Sequence, residues 1–245
     1  MAFFNLLLLL FAGKVQALTS PSLSKRPHLL SIGEALYDLI AGPQCNGWTV
    51  DEVMAKSQFQ PFPGGAPANV ATAFTKLGGQ SSFAGALGLD SAGNNLITLL
   101  KEIGVNTQHV QQLATYPTRQ VLVTRTTSGD REFAGFIDQR PSNDFADCYY
   151  DRISAGLELN NHDEYDAVVM GTLGLIHGPT ADSMQSLVKH WSTPNPANKT
   201  PLPLLVVDVN WRKAFWERDD ESVARKKILQ FVQSADLVKL TDMVR

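Results

Sequence analysis

The sequence predicts an α/β fold: a parallel sheet sandwiched between helices. Three observations carry that expectation. Short apolar runs at residues 28–33, 81–85, 167–170, 204–208 and 236–240 alternate with stretches of helical period, the pattern of strands joined by helical crossovers. Crossovers of that kind are right-handed, and ligands of such sheets bind beyond the carboxyl ends of the strands. Asp38, Gly64-Gly65, Gly171 and the stretch from Asp208 to Asn210 all fall at or just after those ends.

The elements follow in chain order. The first 33 residues contain no Asp or Glu, and Leu6 to Leu10 is an unbroken apolar run, too short to span a bilayer comfortably. Val15-Gln16-Ala17 has the small-residue character of a cleavage site, and residues 18–26 are hydroxyl-rich and basic. Residues 1–27 therefore read as a targeting leader, signal-like and then transit-like. That combination points to a plastid or other organelle; a secretory protein, or a cytoplasmic one with a misjudged start, are the alternatives.

His28 to Gly33 is the first buried strand. Asp38 lies at the far end of the next segment, where a carboxylate just past a strand can accept two hydroxyls at once. Residues 41–62 carry turn residues and weak alternation, as in Trp48-Thr49-Val50. Pro63-Gly64-Gly65-Ala66-Pro67-Ala68-Asn69-Val70-Ala71 then runs into a helix over 66–77. Two glycines let a ligand approach the main chain, and Pro67 suits a first helical turn. Asn69, about a turn into that helix, adds amide donors and an acceptor. Together they make a cradle for a small polyol; an ordinary loop-to-helix turn is the alternative.

Residues 81–85 form a short strand, and Asp90 caps a helix running to Ile103. Residues 118–136 alternate around Ser128-Gly129-Asp130, so they form a hairpin. Arg131 would bring charge toward the cradle or else be solvated. A strand at 167–170, a helix from Pro179 to Trp191, a polar loop at 192–203, a strand at 204–208, a helix at 220–232 and a last strand at 236–240 complete the chain.

Composition sets bounds. With 245 residues, 44% hydrophobic and 18% charged, the chain can bury the core of one sizeable domain. A net charge of -3 gives no basic field for nucleic acid. Cys45 and Cys148 lack metal spacing and read as free thiols, and the five histidines are scattered, so no metal site is expected. No P-loop and no Gly-x-Gly-x-x-Gly occurs.

Gly65, Asn69, Ala71, Gly78 and Gly88 fall at the intervals of an N-terminal signature, and on these residues the chain resembles the ribokinase-like (PfkB-type) carbohydrate kinases, in their fructokinase form. The resemblance runs from about Leu30 to about Leu240. It takes in Gly33-Glu34-Ala35-Leu36-Tyr37-Asp38, Arg131-Glu132-Phe133, Asp208-Val209-Asn210-Trp211-Arg212 and Ala235-Asp236-Leu237-Val238-Lys239-Leu240. It implies a ribokinase-like sheet over 28–245, lid segments at about 41–62 and 118–140, and a homodimer through the lid. It also implies ATP as co-substrate with Mg2+, and transfer of a phosphoryl group to a sugar, fructose to fructose 6-phosphate. By the same likeness Asp38, Gly64, Gly65 and Asn69 hold the sugar, and Asn210, Arg212 and Lys239 face the phosphates.

Two departures stand beside the likeness. The family's proton acceptor is an Asp ending a Gly-Ala-Gly-Asp turn at a helix N-terminus, whose N–H groups form the anion hole. Here no glycine follows Gly178. The family's Glu near the last strand, which helps organise magnesium, is not matched after Thr241, where Asp242, Met243 and Val244 follow. The fold is accordingly expected to be incomplete at its C-terminal end. This chain alone is expected to lack turnover and, with a sheet edge uncovered, to be poorly soluble. A non-catalytic organelle protein of the same fold, or a kinase for ribose, adenosine or 2-keto-3-deoxygluconate, are the alternative readings.

Overall fold

The computed structural model describes residues 26–176, 178–193, 201–216 and 221–240. All but the last two residues of the expected leader, most of the loop at 192–203, Asp220 and the stretch from Thr241 to Val244 lie outside them.

Continuous apolar runs become the inner strands of a sheet buried on both faces. β1 (His28–Ile32) lies at its centre, with β4 (Gln80–Gly88) and β5 (Asn106–Leu113) on one side. On the other side are β8 (Ala167–Gly171), β9 (Leu204–Val209) and β10 (Leu237–Leu240). All five pairings are parallel. Alternate residues serve opposite faces. Leu29, Ala167, Val169 and Val206 pack on Val70 and Phe74 of α2 (Ala66–Lys76). Leu30, Ile32, Val168, Met170 and Val207 join Met184, Leu187 and Trp191 of α4 (Gly178–Trp191) and Ala224 and Ile228 of α5 (Glu221–Val232). α3 (Ser91–Ile103) lies beside α2 through Leu96 and Leu100. No helix among the described residues is long and apolar enough to cross a membrane.

A second sheet, ordered β3-β2-β6-β7, stands apart from the first. β2 (Leu36–Ala41) pairs antiparallel with β3 (Phe59–Gly64) and parallel with β6 (Gln120–Arg125). β6 and β7 (Arg131–Phe136) form the expected hairpin. Its root is tied to the main body twice. Asp90 caps α3 through the N–H of Gly93 and accepts both the N–H and the hydroxyl of Thr118. Arg119, almost fully buried, donates to both carboxylate oxygens of Asp147 at 2.8 and 3.0 Å and lies over Phe136, Phe145 and Phe215.

Three local expectations are corrected, while Gly64 does fall at a strand end, as the last residue of β3. Asp38 is not past a strand end; it is inside β2, paired with Phe62. Trp48-Thr49-Val50 is not a strand. Thr49 and Glu52 form reciprocal caps, and that box starts the short helix α1 (Val50–Ala55). The strand expected at 81–85 extends from Gln80 to Gly88. β5 was not foreseen, because Asn106-Thr107-Gln108-His109-Val110-Gln111-Gln112-Leu113 is a largely polar edge strand with no apolar run to mark it.

Candidate active site

The strand order reverses at β1, and a crevice opens there at the carboxyl ends of the strands. It is a cleft of about 630 Å³. Its lining includes Asp38, Gly65, Asn69, Asn210, Arg212 and Lys239, so six of the seven residues singled out in the sequence meet there. The seventh, Gly64, stands behind Asp38: a Cβ on it would lie 2.6 Å from Asp38 Oδ2.

One wall is made by the backbone. Gly65 has φ +95°, and a Cβ there would meet the Glu34 carbonyl oxygen at 2.3 Å. Only glycine tolerates both conditions. The bend delivers the chain into α2, where Asn69 N–H closes the first turn on Gly65 O at 2.9 Å. Pro67 fits under Gly33, and its carbonyl accepts the buried Ser31 hydroxyl at 2.7 Å. The Asn69 side chain is exposed into the cleft. Asp38 enters from the small sheet, half-buried; burial raises its pKa, with Arg131 and Arg212 pulling the other way. Leu36, Val121, Val123 and Phe133 of the small sheet complete this side with apolar surface.

The opposite wall follows β9 and β10. Asp208 is buried and its Oδ2 accepts from Lys239 Nζ at 2.9 Å, while Oδ1 has no hydrogen-bond partner. Asn210 N–H turns back to Asp208 O at 2.9 Å, and Arg212 donates to Trp211 O at 3.2 Å. Lys213, Ala214 and Phe215 close the end. Cations and an amide on one wall suit a polyphosphate; carboxylate, amide and open main chain on the other suit hydroxyls.

Two acids that the sequence does not single out, Glu34 and Asp208, also line the cleft. Glu34 is 4% exposed, and its pKa is raised to about 7, chiefly by burial. Gly33 ahead of Glu34, and the strand end at Asp208, were the only signals available. Among the described residues no set of three His, Cys, Asp or Glu side chains is placed to hold a metal ion.

A six-stranded parallel sheet flanked by helices, with a second small sheet beside a cleft at its strand ends, is the α/β architecture of the ribokinase-like kinases. Residues 26–243 match the pfkB family carbohydrate kinase, and the chain belongs to that family. It is 30% identical over 237 residues to a probable chloroplastic fructokinase-6 of Arabidopsis thaliana, covering 94% of this chain and 54% of that one. It is 32% identical over 217 residues to fructokinase-2 of Solanum lycopersicum, covering 88% and 59%. Among solved structures, an uncharacterized sugar kinase from Pyrococcus horikoshii in complex with ATP superposes with TM-score 0.70 at 26% identity, over 86% of this chain and 62% of that one. The fructokinase of Xylella fastidiosa with bound ATP gives 0.69 at 25% identity, over 88% and 58%. The chain thus spans less than two thirds of the length of each of these proteins.

Proposed function

We propose that the chain carries the acceptor site of an ATP-dependent fructokinase, with fructose as the sugar and fructose 6-phosphate as the product. One observation carries this reading: Asp38 from the small sheet and Asn69 from the start of α2 line a single cleft, with the Gly64-Gly65 bend between them. Asp38 accepts hydroxyl protons, Asn69 donates and accepts, and the bare main chain at Gly65 lets the ring approach. Leu36, Val121, Val123 and Phe133 cover the sugar and keep water from the reacting oxygen. The names of the plant relatives favour fructose.

The phosphate side of the proposal rests on Asn210, Arg212 and Lys239. Their donors fit the anionic end of ATP. Asp208 Oδ1, buried and unpartnered, is an oxygen of the hard type that Mg2+ takes. When bound, ATP–Mg2+ supplies the phosphoryl group and neutralises its charge. This sequence has no Gly-Ala-Gly-Asp turn, so the proposal includes sugar binding without turnover by the chain as given. An ADP-release assay with fructose, ATP and Mg2+ tests this. The expected rate is the ATPase background; fructose-dependent ADP release contradicts it.

A second reading has one observation behind it. Arg131 and Arg212 both act on Asp38, and two guanidinium groups there favour an acceptor with its own carboxylate, such as 2-keto-3-deoxygluconate. Parallel titrations with that acid and with fructose separate the two. A plastid address agrees with the acid-free, hydroxyl-rich leader and with the name of the Arabidopsis relative; fluorescence imaging of a leader fusion checks it.

A further inference from the structure

Glu34 directly follows the strand at which the sheet order reverses, separated from it only by Gly33. Its Oε1 accepts the N–H of Ala66, the first residue of α2, at 3.2 Å. Its Oε2 is buried without any hydrogen-bond partner, although the residue lines the cleft beside Gly65 and Asn69. Gly171, at the end of β8, is its neighbour: a Cβ there would come into ordinary contact with Oε2, at 3.6 Å. A carboxylate oxygen out of water and without a donor is costly, so a ligand that brings a donor gains more there than at the surface.

We infer that Glu34 is a second sugar-binding carboxylate, whose Oε2 accepts a hydroxyl of the acceptor from the floor of the cleft while Asp38 accepts from the small sheet. This rests on the fructokinase reading above and adds a residue to it. It also gives the site a proton-linked affinity. Burial raises the Glu34 pKa to about 7; Asp147 adds to the rise, while Arg119 and the Ala66 N–H oppose it. Across the cleft stand Asp38, Asp208, Arg212, Lys213 and Lys239, with Arg131 acting on Asp38. A sugar hydroxyl donating to Oε2 favours the ionised form, so binding expels the proton that Glu34 holds in the empty site. Affinity then rises as pH rises, by about tenfold between pH 6 and pH 8 for a group titrating near 7.

The test is calorimetric titration of the full chain with fructose. At pH 7, in two buffers of different ionisation enthalpy, about half a proton is released per fructose bound. Kd falls about tenfold from pH 6 to pH 8. Glu34→Gln keeps an acceptor for Ala66 N–H but cannot ionise; its Kd is weaker at pH 8 and flat across the range. Fructose binding by the wild type with no proton release and no pH slope overturns the inference and leaves the fructokinase reading intact. A Glu34→Gln variant that binds as tightly as wild type at pH 8 does the same. No fructose binding by the wild type at either pH overturns both. The proton count needs only the wild type, so a variant that fails to fold does not remove the test.

Discussion

The two walls of the cleft are built in different ways. On the acceptor wall the main chain makes the shape. Gly65 holds φ +95° against the Glu34 carbonyl, Gly64 leaves room for Asp38, and Gly33 leaves room for Pro67. On the phosphate wall the shape depends on long side chains. The Asp208–Lys239 ion pair spans β9 and β10, Lys239 is 30% exposed, and β10 is the outer strand of the described sheet. A wall of backbone tolerates almost no substitution, because its conformation and its chemistry are the same atoms. A wall of flexible cations loses a ligand contact when one is changed and keeps its fold. Stability and sugar binding are therefore expected to fail together at the glycines of the first wall and separately where a side chain alone makes the contact.

The largest effect is expected for Gly65→Ala. The positive φ and the 2.3 Å approach to the Glu34 oxygen add strain to overpacking, roughly 4 kcal/mol in total. A urea melt reads the stability, and fructose binding is expected to vanish with it. An alanine variant of wild-type stability would break the comparison at its base.

Next in size is the pH dependence of stability. Glu34 titrates near 7 in the folded chain against an ordinary value of 4.5. Between those values the unfolded chain has lost the proton that the folded chain keeps, so unfolding free energy falls as pH rises. The loss totals about 3 kcal/mol and levels off above pH 7. Glu34→Gln is expected to flatten that part of the profile in denaturant melts. An unchanged slope in the variant would assign it to other groups.

Lys239→Met should be the mildest change. It leaves the buried Asp208 carboxylate without its cation, and only the partial exposure of the lysine holds the cost to about 2 kcal/mol. ATP affinity is expected to fall while fructose affinity stays put, both read by titration. A matching loss of fructose affinity would show that the walls are one unit.

The same contrast explains what the sequence could show. β1, β8 and β9 were legible because strands covered on both faces carry unbroken apolar runs, and α2 because glycines and a proline precede it. Asp38 was placed on the correct wall but in the wrong kind of element, since a carboxylate looks alike inside a strand and after one. Burial of Glu34 was not legible. Its neighbours Ala66 and Gly171 follow it in the chain by dozens of positions and meet it only in the fold. Arg119 is the same case: its partner Asp147 and its three phenylalanines come from separate segments. β5 escaped because an edge strand need not be apolar.

The central claim is that Asp38 and the doubled-glycine bend form one sugar site, and a fructose titration of wild type against Asp38→Asn tests it most directly. Hydrogen bonds to a charged acceptor contribute about 2 kcal/mol, so the account predicts saturable one-site binding that weakens by roughly 30-fold in the variant, with its melting curve nearly unchanged. Equal affinity of the two proteins for fructose, or no binding by the wild type, would contradict it.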